Sequence, residues 1–473
     1  MKRGVLYDVL YGFVPITEWE EKIINSPFFQ RLRWIKQLSF ANYIFPGAEH
    51  NRFGHTIGVM HSMEQMIRAL GLNVSEEELF SPKATSAKAM LHKSLRISAL
   101  MHDIGTFPFS HTVEHAYTRH GNDDRRGSKR GAKQLTNNHE HLGAFIIKNT
   151  HYEGGITRVL EDYGFDVQMI SKIIKGESPY AIANQLMHSD LDADRMDYLL
   201  RDSYYTGIKY GLYDRDYILA NLATFDLGRG QLGFGVRENA MRAVEDFLIA
   251  RFNWYSQVVK NPGSAKFDVI STSIAAHFLE EDLIHQFHDL LTMITERDER
   301  FFWWNDVYFI NRLQEVRHLG LVDDPKTNEL IKMLLYREAP KTVHHPEFAH
   351  RIIESTGSVA EREKRIKRIR AIVLDFEAVI EESGTGKEWI LADIPEKDVS
   401  FTASREKLNR HERKGPLYLE QEPVKIVSKR AGVKCLVEVE NSIVRRLADY
   451  VNFVPSVYAN DAAMKLFKAK KLI

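Results

Sequence analysis

Apolar residues recur at intervals of three and four positions along most of the first two thirds of the chain, which is typical of amphipathic helices. Between about 217 and 236, glycines alternate with apolar residues in a pattern that favours a small β-hairpin. A polar, charged stretch at 121–138 is expected to be a mobile loop. The fold class is therefore expected to be mainly α. Helices are predicted near residues 18–38, 55–72, 86–103, 139–150, 156–163, 167–175, 191–203, 238–260 and 264–292.

The pattern changes near Pro340, so we predict one unit over residues 1–339 and a second over 340–473. Strands beside helices indicate that the second unit is a small α+β region. Acidic residues intersperse the basic ones of its first helix, which favours a solvated or subunit-contact face over a nucleic-acid patch. Its predicted elements are a charged helix at about 358–382, strands at 389–394 and 424–427, and a helix at 441–452.

Composition narrows the class of protein. With 473 residues, 44% of them hydrophobic, the chain is long enough for a large core with an appended unit. Lysine plus arginine and aspartate plus glutamate number 64 each, so net charge does not favour nucleic acid or a membrane surface. Cys435 is the only cysteine, which excludes an intrachain disulfide and fits a reducing compartment. The first residues lack the apolar block of a secretory signal, and no apolar run is long enough to span a bilayer, so a cytoplasmic protein without a membrane partner is expected.

A histidine and an aspartate, His102 and Asp103, stand side by side at the end of an apolar helix. Successive residues on a helix point about 100° apart, so both side chains cannot face the core, and a metal ion could engage both. His55 offers a second imidazole upstream. Asp192 and Asp194 offer a carboxylate downstream, where helix capping is the competing interpretation. Two nitrogens and two carboxylates suit Mn²⁺, Fe²⁺, Zn²⁺ or Mg²⁺ and leave coordination positions open.

Three longer runs accompany these residues: 29–38 (FQRLRWIKQL), 45–53 (FPGAEHNRF) and 192–202 (DADRMDYLLRD). With them the chain resembles the HD-domain metal-dependent phosphohydrolases, and in particular their deoxynucleoside triphosphate triphosphohydrolase branch. The resemblance extends from about residue 1 to about residue 275. It implies that the helical bundle core is an HD domain, to which the hairpin and the C-terminal α+β region are added.

The resemblance also implies a reaction: a divalent ion polarises the α-phosphate, and a (deoxy)nucleoside triphosphate is hydrolysed to nucleoside and tripolyphosphate. Relatives assemble into multimers, so a homo-oligomer is expected. Tyr198 and Asp202 match positions that hold the deoxyribose, and Gln37 matches a contact near the sugar. Three arginines match phosphate contacts: Arg52, Arg195 and Arg251. The implied ligands of the ion are His55, His102, Asp103 and Asp194.

Phosphate hydrolysis also requires a proton donor. His111 is the leading general acid, because an imidazole titrates near neutral pH and could protonate the leaving 5′ oxygen. Glu114 lies three residues further along the same helix face, where it could orient His111 and raise its pKa. His139 matches another active-site histidine of the family, close to the α-phosphate. The predicted catalytic residues are therefore His111, Glu114 and His139.

Three positions depart from the family pattern. Thr106 replaces a histidine that approaches the α-phosphate, which puts catalytic rate or substrate position in question. Val259 stands where the family places a tyrosine against the 2′ edge of the sugar, so exclusion of ribonucleotides is expected to be looser. Asn25 stands where regulated members use an aspartate to read guanine, and an asparagine cannot accept two hydrogens from guanine as a carboxylate can.

Two alternative functions remain open at this stage. One is another HD-family phosphohydrolase, a nucleotide phosphatase or phosphodiesterase, in which His111 and His139 recruit a second metal. The other is a catalytically altered nucleotide-sensing protein that binds without turnover. The complete four-ligand set favours an enzyme, whereas Thr106 and Val259 are what a sensing protein would carry.

Overall fold

The structure, a computed structural model, describes residues 4–123, 137–349, 351–354, 359–394, 399–401, 423–448 and 450–473. The fold is mainly α with small sheets, as the periodicity predicts. Most of the predicted loop at 121–138 lies outside the described residues. No helix among the described residues is both long and apolar enough to cross a membrane.

Side chains with a short polar group open many of the helices, because their oxygens accept the free N–H groups of the first turn. Asn51, for example, accepts from Gly54 at the start of the third helix. The helices are α1 (Glu18–Ile24), α2 (Pro27–Gln30), α3 (Arg52–Ala69), α4 (Glu76–Phe80), α5 (Ala87–Met101), α6 (His111–Asp123), α7 (His139–Asn149), α8 (Ile156–Asp162), α9 (Val167–Ile174), α10 (Ala181–His188), α11 (Ala193–Thr206), α12 (Arg215–Ala220), α13 (Met241–Trp254), α14 (Pro262–Glu280), α15 (Phe287–Glu296), α16 (Arg300–Trp303), α17 (Asp306–Leu319), α18 (Pro325–Tyr336), α19 (Val359–Ser383), α20 (Ile443–Leu447) and α21 (Asp461–Ala469).

Two predicted helices are in fact interrupted. The one expected over 18–38 ends at residue 24, because Ser26 caps a new helix whose first residue is Pro27, and proline cannot continue the preceding helical hydrogen bonds. The one expected over 264–292 divides into α14 and α15, with Asp282 at a positive φ of 51° in the connection.

Within the described residues, the strands form four small sheets. The hairpin predicted within 217–236 is present as β3 and β4, preceded by α12. β1 and β2 form a separate antiparallel hairpin that the sequence pattern does not predict. The strands are β1 (Gly4–Asp8), β2 (Gly12–Ile16), β3 (Leu222–Gly228), β4 (Gln231–Arg237), β5 (Lys341–Thr342), β6 (Arg351–Glu354), β7 (Ile390–Asp393), β8 (Val399–Ser400), β9 (Lys425–Ser428), β10 (Gly432–Cys435), β11 (Tyr450–Phe453) and β12 (Ser456–Ala459).

The C-terminal region combines helices with strands in three sheets. These have the orders β10-β9-β4-β3, β6-β11-β8 and β5-β12-β7. The helix predicted over 441–452 is wrong in its second half, because residues from Tyr450 onward form β11 and pair antiparallel with β6. β9 pairs in parallel with β4, so strands from both sides of the predicted boundary at residue 340 share one sheet. That boundary stays a prediction.

Helix α3 is central to the part of the molecule that carries the candidate site. It packs against α5 on one side and α11 on another, while α6 packs against α14. Buried apolar residues of α3 divide between two core clusters: Ile57 lies in the first, and Val59 and Met63 lie in the second. The polar residues near the start of α3 are therefore held between two packed layers, facing the ends of α5 and α11.

Candidate active site

The four predicted metal ligands converge from three helices. His55 lies in α3, His102 and Asp103 directly follow α5, and Asp194 lies in the first turn of α11. His55 Nε2 is 3.0 Å from Asp194 Oδ1 and 3.8 Å from Asp103 Oδ2. His102 Nε2 is 3.5 Å from Asp103 Oδ2 and 3.8 Å from Asp194 Oδ1. Ligand atoms that lie about 2.0–2.2 Å from one ion are separated by about 3–4 Å. His55, His102 and Asp103 fit a divalent cation in this way, with ligand atoms all within 4.8 Å of one another, and Asp194 borders them through its contacts with the two imidazoles.

Both imidazoles are oriented by a bond at their other nitrogen. His55 Nδ1 is 2.8 Å from Asp197 Oδ2, and His102 Nδ1 is 2.8 Å from the carbonyl oxygen of Ala99. Asp197 is held in turn by two bonds from Arg201, at 2.8 and 2.9 Å. Such partners fix the tautomer that presents Nε2 to a metal.

The electrostatics of the cluster favour a cation. Burial alone would raise the pKa of Asp103, but Arg52 and the nearby imidazoles lower that pKa well below its ordinary value. Burial alone would lower the pKa of His55, but Asp194 and Asp197 raise it to about 9. The carboxylates that favour protonation of His55 also attract a divalent cation. Coordination of that cation by His55 requires the neutral imidazole.

The three predicted catalytic residues form a second cluster. His111 Nδ1 and His139 Nδ1 each lie 2.7 Å from a different oxygen of Glu114. Burial would raise the pKa of Glu114, but the two histidines lower it well below its ordinary value. Burial would lower the pKa of His139, whereas Glu114 raises it to about 9. The side chain of His111 is 57% exposed, so its free Nε2 edge can reach a substrate. This trio also has metal-ligand spacing.

The residues expected near the sugar include buried oxygens that are unpaired. Asp202 Oδ1 lies 2.7 Å from His50 Nε2, while Asp202 Oδ2 has no hydrogen-bond partner among the described residues. Gln37 Oε1 is likewise buried without a partner there, although the backbone N–H of Gln37 donates to the carbonyl of His50 at 3.0 Å. Buried acceptors of this kind are rare unless a ligand or water satisfies them. Tyr198, on the same helix as Asp202, packs its ring against Trp254 with centroids 4.7 Å apart.

The three arginines expected at the phosphates are each held by a carboxylate. Arg52 Nη1 contacts Asp103 Oδ2 at 2.5 Å. Arg195 pairs with Asp192, and Arg251 Nη1 lies 2.8 Å from Asp190 Oδ1. Asp192 also accepts the N–H of Arg195 as the cap of α11. Asp192 is therefore used in capping and ion pairing, while Asp194 faces the histidines.

The three residues that depart from the family pattern lie in different local environments. Thr106 is buried, and its hydroxyl donates to the carbonyl oxygen of Asp103 at 2.7 Å. Val259 is half-buried at the end of a π-helical turn (Tyr255–Val259). Asn25 ends α1, where its backbone N–H bonds to the last carbonyls of the helix.

Sequence reasoning missed three polar residues of this site. His50 lies within the quoted run 45–53 but received no role, although a histidine two residues before Arg52 is a visible signal. Ser110 accepts from Arg52 Nε at 3.0 Å. Asp306 begins α17 and accepts the N–H of Phe109 at 2.6 Å, a contact across 197 positions that leaves no local sequence signal.

Comparison with known proteins shows which protein family the chain resembles. Residues 52–202 match the family model of the HD domain. An uncharacterized protein of Methanocaldococcus jannaschii is 32% identical over 258 residues, covering 54% of this chain and 46% of that protein. The human deoxynucleoside triphosphate triphosphohydrolase SAMHD1 is 25% identical over 437 residues, covering 84% of this chain and 61% of the human protein. A solved hypothetical protein from Aquifex aeolicus, 24% identical, matches with a TM-score of 0.65 over 98% of this chain and 100% of that chain, which supports the fold alone.

Residues 52–202 therefore match the HD domain, and HD domains bind divalent metals. The resemblance of the chain to the HD-domain deoxynucleoside triphosphate triphosphohydrolases is confirmed. The chain spans about half the length of the Methanocaldococcus jannaschii protein, with 46% of that protein covered.

Proposed function

We propose that the chain hydrolyses nucleoside triphosphates, preferentially deoxynucleotides, to nucleoside and tripolyphosphate. The observation that carries the proposal is the convergence of four metal-ligand side chains beside Arg52 and the trio His111, Glu114 and His139. A donor set of two imidazoles and two carboxylates leaves coordination positions for phosphate oxygens. Resemblance to a human triphosphohydrolase supports the same substrate class.

The residues around the cluster have separate tasks. His55, His102, Asp103 and Asp194 would hold a divalent cation, which supplies Lewis-acid stabilisation of the phosphate under attack when bound. The guanidinium of Arg52, which already contacts Asp103, would balance charge that develops on the α-phosphate. In the reaction, water attacks the α-phosphorus, the bond from phosphorus to the 5′ oxygen breaks, and tripolyphosphate leaves as one piece.

The leaving 5′ oxygen must gain a proton. His111 would donate it, because its exposed ring is oriented by the buried carboxylate of Glu114. A general acid in this position contributes about 10²–10⁴-fold in rate. His139 shares the same carboxylate and would add positive charge near the triphosphate.

The sugar would bind beside the unpaired oxygens of Gln37 and Asp202. The 3′-hydroxyl is the one free hydroxyl of a deoxynucleoside triphosphate, and it would donate a hydrogen bond to one of these two buried acceptors. The ring of Tyr198 would pack against the sugar. Val259 offers no aromatic ring at the 2′ edge, so we expect ribonucleotides to be hydrolysed as well, at a lower rate.

A product assay tests this function. Purified protein with Mn²⁺ and each deoxynucleotide or ribonucleotide should release nucleoside and tripolyphosphate in equal amounts. His102→Ala should abolish turnover without loss of helical content, whereas His151→Ala, at an exposed position where the ring pairs with Glu161, should leave turnover unchanged. Release of monophosphate or diphosphate, or no product with any divalent metal, would contradict the proposal. Light scattering of the same preparation tests the expected homo-oligomer.

A second candidate function rests on the spacing of His111, Glu114 and His139, which could hold a second metal. An HD phosphohydrolase with two ions would release a monophosphate or cleave a phosphodiester. Metal titration distinguishes the two candidates, because the proposed triphosphohydrolase needs one ion per chain and this alternative needs two. Tight nucleotide binding without any product would instead support the nucleotide-sensing alternative.

A further inference from the structure

The turn that precedes His111 has an unfavourable backbone conformation. Phe109 and Ser110 both have positive φ, at 51° and 54°, although neither is glycine. Each such residue costs about 1–3 kcal/mol and persists only where surrounding contacts hold it. Because His111 is the first residue of α6, the conformation of this turn determines the position of its imidazole.

A buried carboxylate holds the turn from outside the HD domain. Asp306, the first residue of α17, is only 6% exposed. Its Oδ1 accepts the backbone N–H of Phe109 at 2.6 Å, and its Oδ2 accepts the backbone N–H of Lys36 at 2.9 Å. A buried carboxylate is costly unless its oxygens are bonded, and here both oxygens are used on segments of the candidate site.

Ser110 completes a closed set of bonds. Its hydroxyl donates to the carbonyl oxygen of Lys36 at 2.7 Å and accepts from Arg52 Nε at 3.0 Å. The other end of the Arg52 guanidinium contacts Asp103. The segment before Gln37, the arginine beside the metal ligands and the turn before His111 are thus joined through Asp306 and Ser110.

We infer that Asp306 is a positioning residue, which holds the turn before His111 in register with Gln37 and Arg52. The inference rests on the proposed function for the role of His111, but the anchoring itself is a property of the fold. The candidate site would then depend on a residue outside 52–202, because Asp306 lies in α17. Burial raises the pKa of Asp306 to about 7, although the two backbone N–H bonds act to lower it. The raised pKa agrees with an energetic cost of burying the charged form of this carboxylate.

Asp306→Asn tests the inference. Asparagine keeps one acceptor oxygen but turns an N–H₂ group toward the other backbone N–H, so one of the two bonds is lost. We expect kcat to fall about 10–100-fold, as for a small misplacement of a catalytic group. If Asp306 acts through His111, the double variant with Asp306→Asn and His111→Ala should have a kcat only slightly lower than that of His111→Ala alone. Additive losses would overturn the inference, because a merely structural defect lowers both backgrounds equally.

A matched control and a second measurement separate this inference from the proposed function. Asp324→Asn removes a helix-capping carboxylate from α18, away from the turn, and should leave kcat unchanged. Hydrogen exchange of the peptide 105–112 should become at least about 10-fold faster in Asp306→Asn, if one anchoring bond of about 1.4 kcal/mol is lost. Wild-type protein without triphosphohydrolase activity would refute the proposed function, while the exchange result would still decide the anchoring. Unchanged exchange in folded Asp306→Asn overturns it.

Ser110→Ala gives a second route if Asp306→Asn does not fold. It removes the two hydroxyl bonds and leaves both bonds of Asp306 in place. Faster hydrogen exchange of the peptide 105–112 in Ser110→Ala, together with a fall in kcat, supports the anchoring of the turn. Unchanged exchange in folded Ser110→Ala overturns it.

Discussion

At the scale of single residues, Gly58 of α3 lies against the ion pair of Asp197 and Arg201 behind His55. A Cβ added at Gly58 would overlap Asp197 Oδ1 and Arg201 Nη2, both of which are buried and bonded to each other. Only a glycine lets α3 approach the pair so closely. We predict that Gly58→Ala displaces Asp197 from His55 Nδ1 and weakens Mn²⁺ affinity about 10–100-fold, as loss of an orienting partner does at other metal sites. Isothermal titration of the purified protein measures the effect.

Gly54 provides the matched control one turn earlier on α3. A Cβ there meets only Arg201 Nη1, at an ordinary contact distance of 3.7 Å. Gly54→Ala should therefore bind Mn²⁺ as the wild type does, and the alanine should favour the helix slightly. Equal affinities in all three proteins would mean that Asp197 does not orient the ligand.

Sequence could predict the residues of the candidate metal cluster better than the residues that support it. His102 and Asp103 are adjacent in the sequence, and the structure places both directly after α5, with side chains 14% and 5% exposed. His55 and Asp194 required a family pattern, because the helix packing that joins them is not written in local spacing. Asp306 had no sequence signal at all, since a carboxylate that accepts backbone N–H groups needs no particular partner residue.

At the scale of elements, buried ion pairs join α5 to α3 and to α1. Glu64 of α3 lies 2.6 Å from His92 Nε2 and 3.1 Å from Arg96 Nη1, both on α5. Arg96 also pairs with Glu20 of α1 at 2.8 Å. Burial would raise the pKa of Glu64, but His92 and Arg96 lower it far below its ordinary value. These pairs set the packing of α3 and α5, and with it the distance between His55 and His102.

The sign of that pKa shift gives a pH dependence. A carboxyl whose pKa is depressed on folding adds stability above its unfolded pKa, here about 4.5, and loses it as the pH falls further. We predict that the free energy of unfolding declines below about pH 5 and that Glu64→Gln lowers it by about 3–5 kcal/mol at pH 7. In Glu64→Gln the decline with acid should be shallower. Urea unfolding at a series of pH values measures both.

Glu161→Gln is the control for charge removal, since Glu161 pairs with His151 at an exposed position. Its effect at pH 7 should stay below about 1 kcal/mol, with an unchanged acid slope. An equally steep acid slope in Glu64→Gln and the wild type would assign the acid sensitivity to other carboxyls.

Element prediction succeeded where an apolar stripe continues over several turns and failed where elements are short or turned outward. α3, α5 and α11 have long buried faces, so the helical period identifies them. The N-terminal hairpin was missed because its strands have five residues each and its apolar Val5, Tyr7 and Phe13 point to solvent. The C-terminal half of the 441–452 helix failed because pairing with β6 outweighs local preference.

At the scale of the whole molecule, the C-terminal region shares its core with the HD domain. Trp389 and Leu391 pack into the first core cluster, which also contains Ile57 of α3. Val424 and Ile426 belong to the second cluster, together with Val236 of β4. The parallel pairing of Val236 with Ile426 adds backbone bonds to this contact. Burial on this scale implies that the two predicted units unfold together.

Two isoleucines of the C-terminal region test that cooperativity. Ile426 is 3% exposed and Ile443 is 50% exposed. We predict that Ile426→Ala lowers the free energy of unfolding by about 2–5 kcal/mol, because it leaves a cavity between β9 and the HD core. Ile443→Ala should change it by less than about 0.5 kcal/mol. In both variants the chain should unfold in a single calorimetric transition, and Mn²⁺ should raise the temperature of that whole transition, because ligand binding stabilises every part that unfolds with the site. Two separate transitions would contradict this prediction if Mn²⁺ shifted only one of them and Ile426→Ala shifted only the other. Residues 340–473 would then fold as an independent domain, and the shared sheet would not stabilise the part of the chain that carries the candidate metal site.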